Sequence, residues 1–234
     1  MSRVEVTKCY KLISILLQYP RDISVVRQAA RKLYELVRNA EDMKIAKLKE
    51  ELGDFTQFLE NSHLWAVQEE YVNTFDLFPL CPPYVSHHVY GESYRKGEYM
   101  VRLIEIYRRY GFDVPEALKN ELPDHISVVT GFLAVLDRDA RREFTELVMN
   151  GLKKMADAVR NKDTPYKPLI LLTYALCLLD GGYDGRYDDR YPDRSEANEA
   201  ENGGNEGNEG VDGVKKIRNV KDRENIKMLI KEVR

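Results

Sequence analysis

The chain has 234 residues, 43% of them hydrophobic and 32% charged, with a formal net charge of −3. That length can bury one sizeable core or two small ones. The near-neutral balance is poorly suited to nucleic acid, whose binding is driven by counterion release from many Lys and Arg contacts, so no nucleic-acid partner is expected. Eight of the 14 glycines fall within residues 181–213, and no Gly-x-Gly-x-x-Gly or Gly-x-x-x-x-Gly-Lys run occurs, which argues against a phosphate-cradling loop. The three cysteines, Cys9, Cys81 and Cys177, form no Cys-x-x-Cys pair and point to a reducing compartment without a zinc framework.

The first apolar stretch, Leu12 to Leu17, is short, follows Glu5, Lys8 and Lys11, and lacks a small-residue cleavage site. It is expected to belong to a helix over 4–18 rather than to a secretion signal. Apolar residues then recur at helical spacing: Ile23, Val26, Ala30, Leu33 and Val37; Ile45, Leu48, Leu52, Phe55 and Leu59; Leu64, Val67, Tyr71 and Phe75. Asp22 and Ser62 stand where N-caps belong, and Gly111 stands where a left-handed residue closes the helix over 94–110. Further helices are expected over 124–136, 140–160 and 167–179, about eight or nine in all, with no strand alternation. Prolines punctuate the connections. The interval Leu77 to Tyr90 reads as the longest loop, rich in aromatic and imidazole side chains, and loops of that length are often functional. The longest apolar run, Leu169 to Leu179, is too short to cross a bilayer, for which about 20 residues are needed. The chain is therefore not expected to be an integral membrane protein.

From Asp180 the composition changes. Residues 180–214 carry 11 acidic and 3 basic side chains, and residues 215–234 carry 8 basic and 3 acidic ones, leaving the body neutral. The expected organisation is an all-helical domain over 1–180, a disordered Gly/Asn/acidic linker over 181–213, and a basic amphipathic helix over 214–234 bearing Ile226, Leu229, Ile230 and Val233.

Several constellations carry less chemistry than they suggest. His63, His87, His88 and His125, with Cys81, match no metal-ligand spacing, so no metal is expected. Glu69 beside Glu70 is what a helix surface shows routinely, and Ser86 next to His87 is not a nucleophile geometry; no catalytic residue is assigned. The segment Glu121-Leu122-Pro123-Asp124-His125-Ile126 carries more. Pro123 holds Leu122 extended, and Asp124 is placed to accept backbone N–H groups at a helix mouth.

The order Glu70-Tyr71 to Phe75-Asp76, Pro82-Pro83-Tyr84, His87 to Ser93, Gly111-Phe112, Glu121 to Ile126 and Phe132-Leu133-Ala134 resembles the redox-enzyme maturation chaperones. The likeness covers roughly residues 5–180 and is greatest to the nitrate reductase (NarJ) branch. It implies an all-α cytoplasmic chaperone, without enzymatic activity or a bound cofactor of its own. Such a protein binds the N-terminal or twin-arginine signal peptide of a molybdoenzyme catalytic subunit and holds the apo-subunit until the molybdenum cofactor is inserted. The client is nitrate reductase-like or, alternatively, a dimethyl sulfoxide or trimethylamine N-oxide reductase. Molybdenum cofactor biosynthesis proteins are implied as further partners, with the chaperone monomeric or dimeric. The motif maps to Asp124 and His125, and its aromatic neighbours to Tyr71 and Phe75.

The residues support a peptide binder independently. A peptide basic at one end and apolar at the other suits an apolar groove edged by carboxylates. Trp65, Tyr71, Phe75, Phe78 and Tyr84 are candidates for the groove, Asp76, Glu121 and Asp124 for its edge, and His125 for a pH-dependent contact. The competing classes are a small helical metal-dependent hydrolase, disfavoured by the missing Glu-x-x-His repeat, and an adaptor acting through the terminal helix.

Overall fold

A computed structural model describes residues 3–182. All but the first two residues of the expected linker, and the whole of the expected terminal helix, lie outside the described residues. Those described form ten α-helices and one 3-10 turn: α1 (Arg3–Leu16), α2 (Ile23–Arg38), α3 (Met43–Ala46), α4 (Lys49–Asn61), α5 (Leu64–Phe75), α6 (His87–Tyr90), α7 (Tyr94–Arg109), the 3-10 turn Glu116–Leu118, α8 (Ile126–Leu133), α9 (Arg138–Val159) and α10 (Lys167–Asp180). The all-α class is as expected. The nearest thing to a strand among them is an isolated antiparallel bridge between Tyr84 and His125.

Side-chain caps start two of the long helices. Asp22 accepts the Ser24 N–H at 2.8 Å and opens α2; Asp137 accepts the Ala140 N–H at 2.9 Å and opens α9. Along α2, Val26, Ala29, Ala30, Leu33 and Val37 are buried. α10 shows weaker periodicity because nearly all of it is enclosed: Leu169, Ile170, Leu172, Leu176 and Cys177 are all within 1% of full burial. It packs against α9, α1, α3 and α4, while α1 also lies on α2 and α8. Each such aliphatic side chain withdrawn from water contributes about 1.5–3 kcal/mol, which makes α10 and α9 the centre of stability. No helix of the described residues is long and apolar enough to cross a membrane.

One charged cluster is sealed inside. Arg141, 1% exposed, has its Nε 3.1 Å from Asp180 Oδ2 and donates from Nη1 to Thr7 Oγ1 at 2.8 Å, and the Tyr10 hydroxyl donates to Asp180 Oδ2 at 2.9 Å. This clasp ties α1, α9 and the last residue of α10 together.

Three local expectations need correction. The run Ile45 to Leu59 is not one helix: Asp42 caps α3 through the Lys44 and Ile45 N–H groups, and the Leu48 N–H turns back to Ile45 O at 3.0 Å, bending the chain so that Ile45 and Leu52 both reach the core. Ser62 is not an N-cap but ends α4, and His63 takes the N-cap position of α5 without a side-chain bond. The reason lies in α2, where the Arg27 guanidinium takes the carbonyls of Leu59, Glu60 and Ser62 at 2.9–3.1 Å and so satisfies the C-terminus of α4. The Leu77–Tyr90 interval is also more ordered than a loop, since it contains α6 and the bridge to His125.

Candidate functional site

Two segments far apart in sequence are pinned together at the start of α8. The Ile126 N–H donates to Pro83 O at 2.8 Å and the Val85 N–H to Asp124 O at 3.0 Å, while Tyr107 donates its hydroxyl to Pro123 O at 2.8 Å. Val85 in turn sits on α9 at Gly151. A Cβ there would collide with Val85 Cγ1 and stand 2.6 Å from its carbonyl oxygen, so glycine is required for this close approach. The Pro-rich segment is thus a fixed wall.

Asp124 is placed differently from expectation. It is completely buried and does not cap α8; its Oδ2 accepts the Ser86 N–H at 3.1 Å and the Ser86 hydroxyl at 2.5 Å, and its Oδ1 has no hydrogen-bond partner. Burial pushes its carboxyl above the usual carboxylate range, against the lowering effect of the Ser86 bonds. The cap is His125, whose Nδ1 accepts the Ser127 N–H at 3.2 Å and lies 2.6 Å from the Ser127 hydroxyl. His125 is 2% exposed, and burial pushes its imidazole down to about 4, so it is neutral at physiological pH rather than the titrating contact expected.

The aromatic candidates divide in the same way. Tyr71 and Phe75 are buried, with rings 4.9 Å apart and both against Tyr166, and the Tyr71 hydroxyl donates to Leu17 O at 3.2 Å. They form the floor on which the surface rests, not a groove lining. Trp65, by contrast, is 65% exposed on the outer side of α5.

What reaches solvent is a smaller set. Tyr84 is half-buried, edge-on to His125 with ring centroids 5.5 Å apart. Glu121 is half-buried with its Oε2 3.9 Å from His125 Nε2, and Asp76 is exposed at the end of α5. These groups feel one another. The Glu121 carboxyl is raised by partial burial and by Asp76 while Arg21 opposes, and the phenols of Tyr71 and Tyr84 are raised by burial and then by Glu121. The fold therefore gathers all seven sequence candidates, Tyr71, Phe75, Asp76, Tyr84, Glu121, Asp124 and His125, into one region, with Asp76, Tyr84 and Glu121 at its surface and the other four beneath.

After Asp76 the chain presents Leu77 and Phe78, 65% and 95% exposed, and after Glu121 it presents Leu122, 46% exposed. Phe78 has φ +50°, the one non-glycine with positive φ among the described residues. Holding a bulky residue there costs about 1–2 kcal/mol, and the Leu77 N–H to Val72 O bond at 3.1 Å keeps the turn in place. Two contributors escaped sequence reading: Ser86, set aside because its neighbour His87 made no nucleophile, and Arg21, whose charge acts on Glu121 from 100 residues away. No linear signal marks either.

Cys81 approaches His88, Sγ to Nε2 at 3.8 Å, and its thiol is pushed up to about 12 by burial. Among the described residues no three His, Cys, Asp or Glu side chains converge as a metal site would need.

Comparison with known proteins places this arrangement in a family. The profile of the family described as nitrate reductase delta subunit matches residues 41–169. NarW of Escherichia coli K12, named as a probable nitrate reductase molybdenum cofactor assembly chaperone, is 26% identical over 68% of this chain and 63% of its own length. NarJ of Bacillus subtilis 168, named likewise, is 27% identical over 53% of this chain and 66% of its own, and the NarJ chaperone of E. coli K12 is 25% identical over 72% and 70%. The chain thus spans a little under two thirds of the first two relatives. The crystal structure of a redox enzyme maturation protein from Archaeoglobus fulgidus superposes with a TM-score of 0.50 at 25% identity, covering 75% of this chain and 93% of that one. Since the profile takes in more than half of the chain and every candidate site residue, the chain belongs to the nitrate reductase delta subunit family.

Proposed function

We propose that this chain is a cytoplasmic assembly chaperone for the catalytic subunit of a molybdopterin oxidoreductase of the nitrate reductase type. In this reading it binds the subunit's N-terminal, signal-like peptide and keeps the apo-subunit receptive until the molybdenum cofactor is inserted. It acts by binding rather than by catalysis. The observation that carries the reading is that two solvent-reaching carboxylates, Asp76 and Glu121, which act on one another, are each followed in the chain by exposed apolar side chains, Leu77 and Phe78 after the first and Leu122 after the second. A peptide that is basic at one end and apolar at the other is complementary to both features. Tyr84 sits on the Pro-rich wall beside His125, and the buried Asp124, His125, Tyr71 and Phe75 position that wall and its floor. Cofactor insertion is promoted indirectly, by preferential binding of the receptive client conformation.

Calorimetry with the N-terminal peptide of such a catalytic subunit tests this. Glu121→Gln and Asp76→Asn should each weaken binding by about 1–3 kcal/mol through loss of a charged contact, and Phe78→Ala by a similar amount through loss of an aromatic anchor. Because all three side chains are accessible, the variants should fold normally. Unchanged affinity in all of them would reject this surface. Phe75→Ala is a poor probe, because it opens a cavity between Tyr71 and Tyr166 instead of trimming a groove.

A further inference from the structure

The outer line of α5 runs straight into the proposed peptide surface without being part of it. Trp65, Glu69, Val72 and Asp76 are separated by four, three and four positions, which stacks them along one side of the helix, opposite the buried Val67, Tyr71 and Thr74. Trp65 and Glu69 are exposed neighbours one turn apart, and Val72 is half-buried. Among the described residues neither Glu69 nor Asp76 enters an ion pair. One flank is acidic as well: the Glu70 carboxyl is raised by burial and then by Glu69 and Asp163, both of like charge. On the other flank the Gln68 amide donates to Pro20 O at 2.9 Å and fixes the α1–α2 connection beside the helix.

Uncompensated carboxylates beside an exposed indole are complementary to a guanidinium, which stacks on an aromatic face and bonds a carboxylate in its own plane. We infer that Trp65 and Glu69 form a second cation subsite, occupied by an arginine of the same client peptide that the surface at Asp76 and Glu121 receives. The inference rests on that proposed peptide binding and extends it along α5. The helix rise fixes the spacing: the seven positions from Glu69 to Asp76 cover about 10 Å, which an extended peptide covers in three residues at about 3.3 Å each. The arginine at Trp65 therefore stands three positions from the cation at Asp76, on the side away from the apolar run that meets Leu77 and Phe78. Val72 lies beneath the two residues between them. Adjacent cations reach only one of the two subsites, and a lysine loses the stacking. An anionic lipid surface is repelled by so acidic a face.

Trp65 is the one tryptophan of the chain, so its fluorescence reports occupancy of this subsite directly. The probes are synthetic peptides titrated into the full chain: Arg-Ser-Ser-Arg-Leu-Leu-Ala-Leu, its variants with Lys or Ser in the first position, and Ser-Ser-Arg-Arg-Leu-Leu-Ala-Leu. The first peptide should move Trp65 emission to shorter wavelength and bind about three- to tenfold more tightly than the Ser variant and the adjacent-arginine peptide, both of which should leave the emission unmoved. The Lys variant should fall between. W65A and E69Q, both at exposed positions, should each cost about two- to fivefold in affinity for the first peptide and nothing for the Ser variant. Binding of the first peptide that responds to Asp76→Asn and Glu121→Gln but is indifferent to W65A and E69Q, with the emission unmoved, would overturn the inference and leave the peptide surface standing. Emission that moves with protein concentration alone would assign the face to a second copy of the chain and overturn it too. Failure of every peptide to bind would remove the peptide surface and the subsite together.

Discussion

Two carboxylates are buried in this fold, and they are treated in opposite ways. Asp180, at the end of α10, meets the Arg141 guanidinium and the Tyr10 hydroxyl, so its charge is matched inside the core. Asp124, at the start of the candidate site, forms no ion pair among the described residues, although the charge of Lys96 acts on it; it accepts the N–H and hydroxyl of Ser86 and leaves Oδ1 without a partner. Burial raises both carboxyls above their usual range. The difference separates two uses of a buried charge. At Asp180 the charge is neutralised in place and welds three helices. At Asp124 the carboxylate is a tether, through Ser86, that holds the Pro-rich wall bearing Tyr84 against the start of α8.

Breaking the matched pair should have the largest effect. Arg141→Ala leaves Asp180 buried with the Tyr10 hydroxyl but without its paired cation, and denaturant unfolding should show a loss of about 3–5 kcal/mol; adding Asp180→Asn should return part of it, because the uncompensated charge is then gone. A double variant no more stable than Arg141→Ala would mean that packing, not charge, is what Arg141 supplies.

Acid should expose the second region next. His125 binds its proton less readily folded, at about 4, than unfolded, near 6.5. Unfolded chains therefore take up more protons between those values, so its contribution is complete above pH 6.5 and is lost as pH falls through the window, amounting to about 3 kcal/mol at the acid end. Asp124 and Glu121 act in the other sense, because their raised carboxyls favour the protonated folded state as pH falls. His125→Asn keeps a capping acceptor but does not titrate, and stability measured from pH 7 to 4 should fall less steeply for it. A slope equal to the parent's would place the proton elsewhere.

Smaller effects sharpen the contrast at Asp124. Ser86→Ala should cost about 1–3 kcal/mol, because a buried carboxylate loses its hydroxyl donor. Asp124→Asn should cost less than Ser86→Ala, since the raised carboxyl shows that its charge is a burden, and the two losses should not add. The smallest expected change is a gain. Phe78→Gly should raise stability by up to about 1 kcal/mol by relieving the positive φ while weakening peptide binding, so a rise in stability without loss of affinity would detach Phe78 from the proposed site.

Much of this molecule was legible in one dimension, because helices are built from signals a few residues apart. The spacing of Val26, Ala30, Leu33 and Val37, the cap at Asp22 and the left-handed Gly111 all appear as read, and the order of motifs from Glu70 to Ile126 marked the region where the candidate residues meet. Which of those residues face water was not legible. A carboxylate after a proline at a helix start looks like a cap whether or not it is one, and only the approach of Ser86, 38 residues earlier in the chain, draws Asp124 inward and passes the cap to His125. The same holds for Arg27 ending α4, for Arg141 finding Asp180, and for Gly151 admitting Val85. Periodicity and capping depend on the chain's own neighbours and so can be read along it. Burial, charge matching and close approach depend on what another helix brings, and those were decided only when the helices packed.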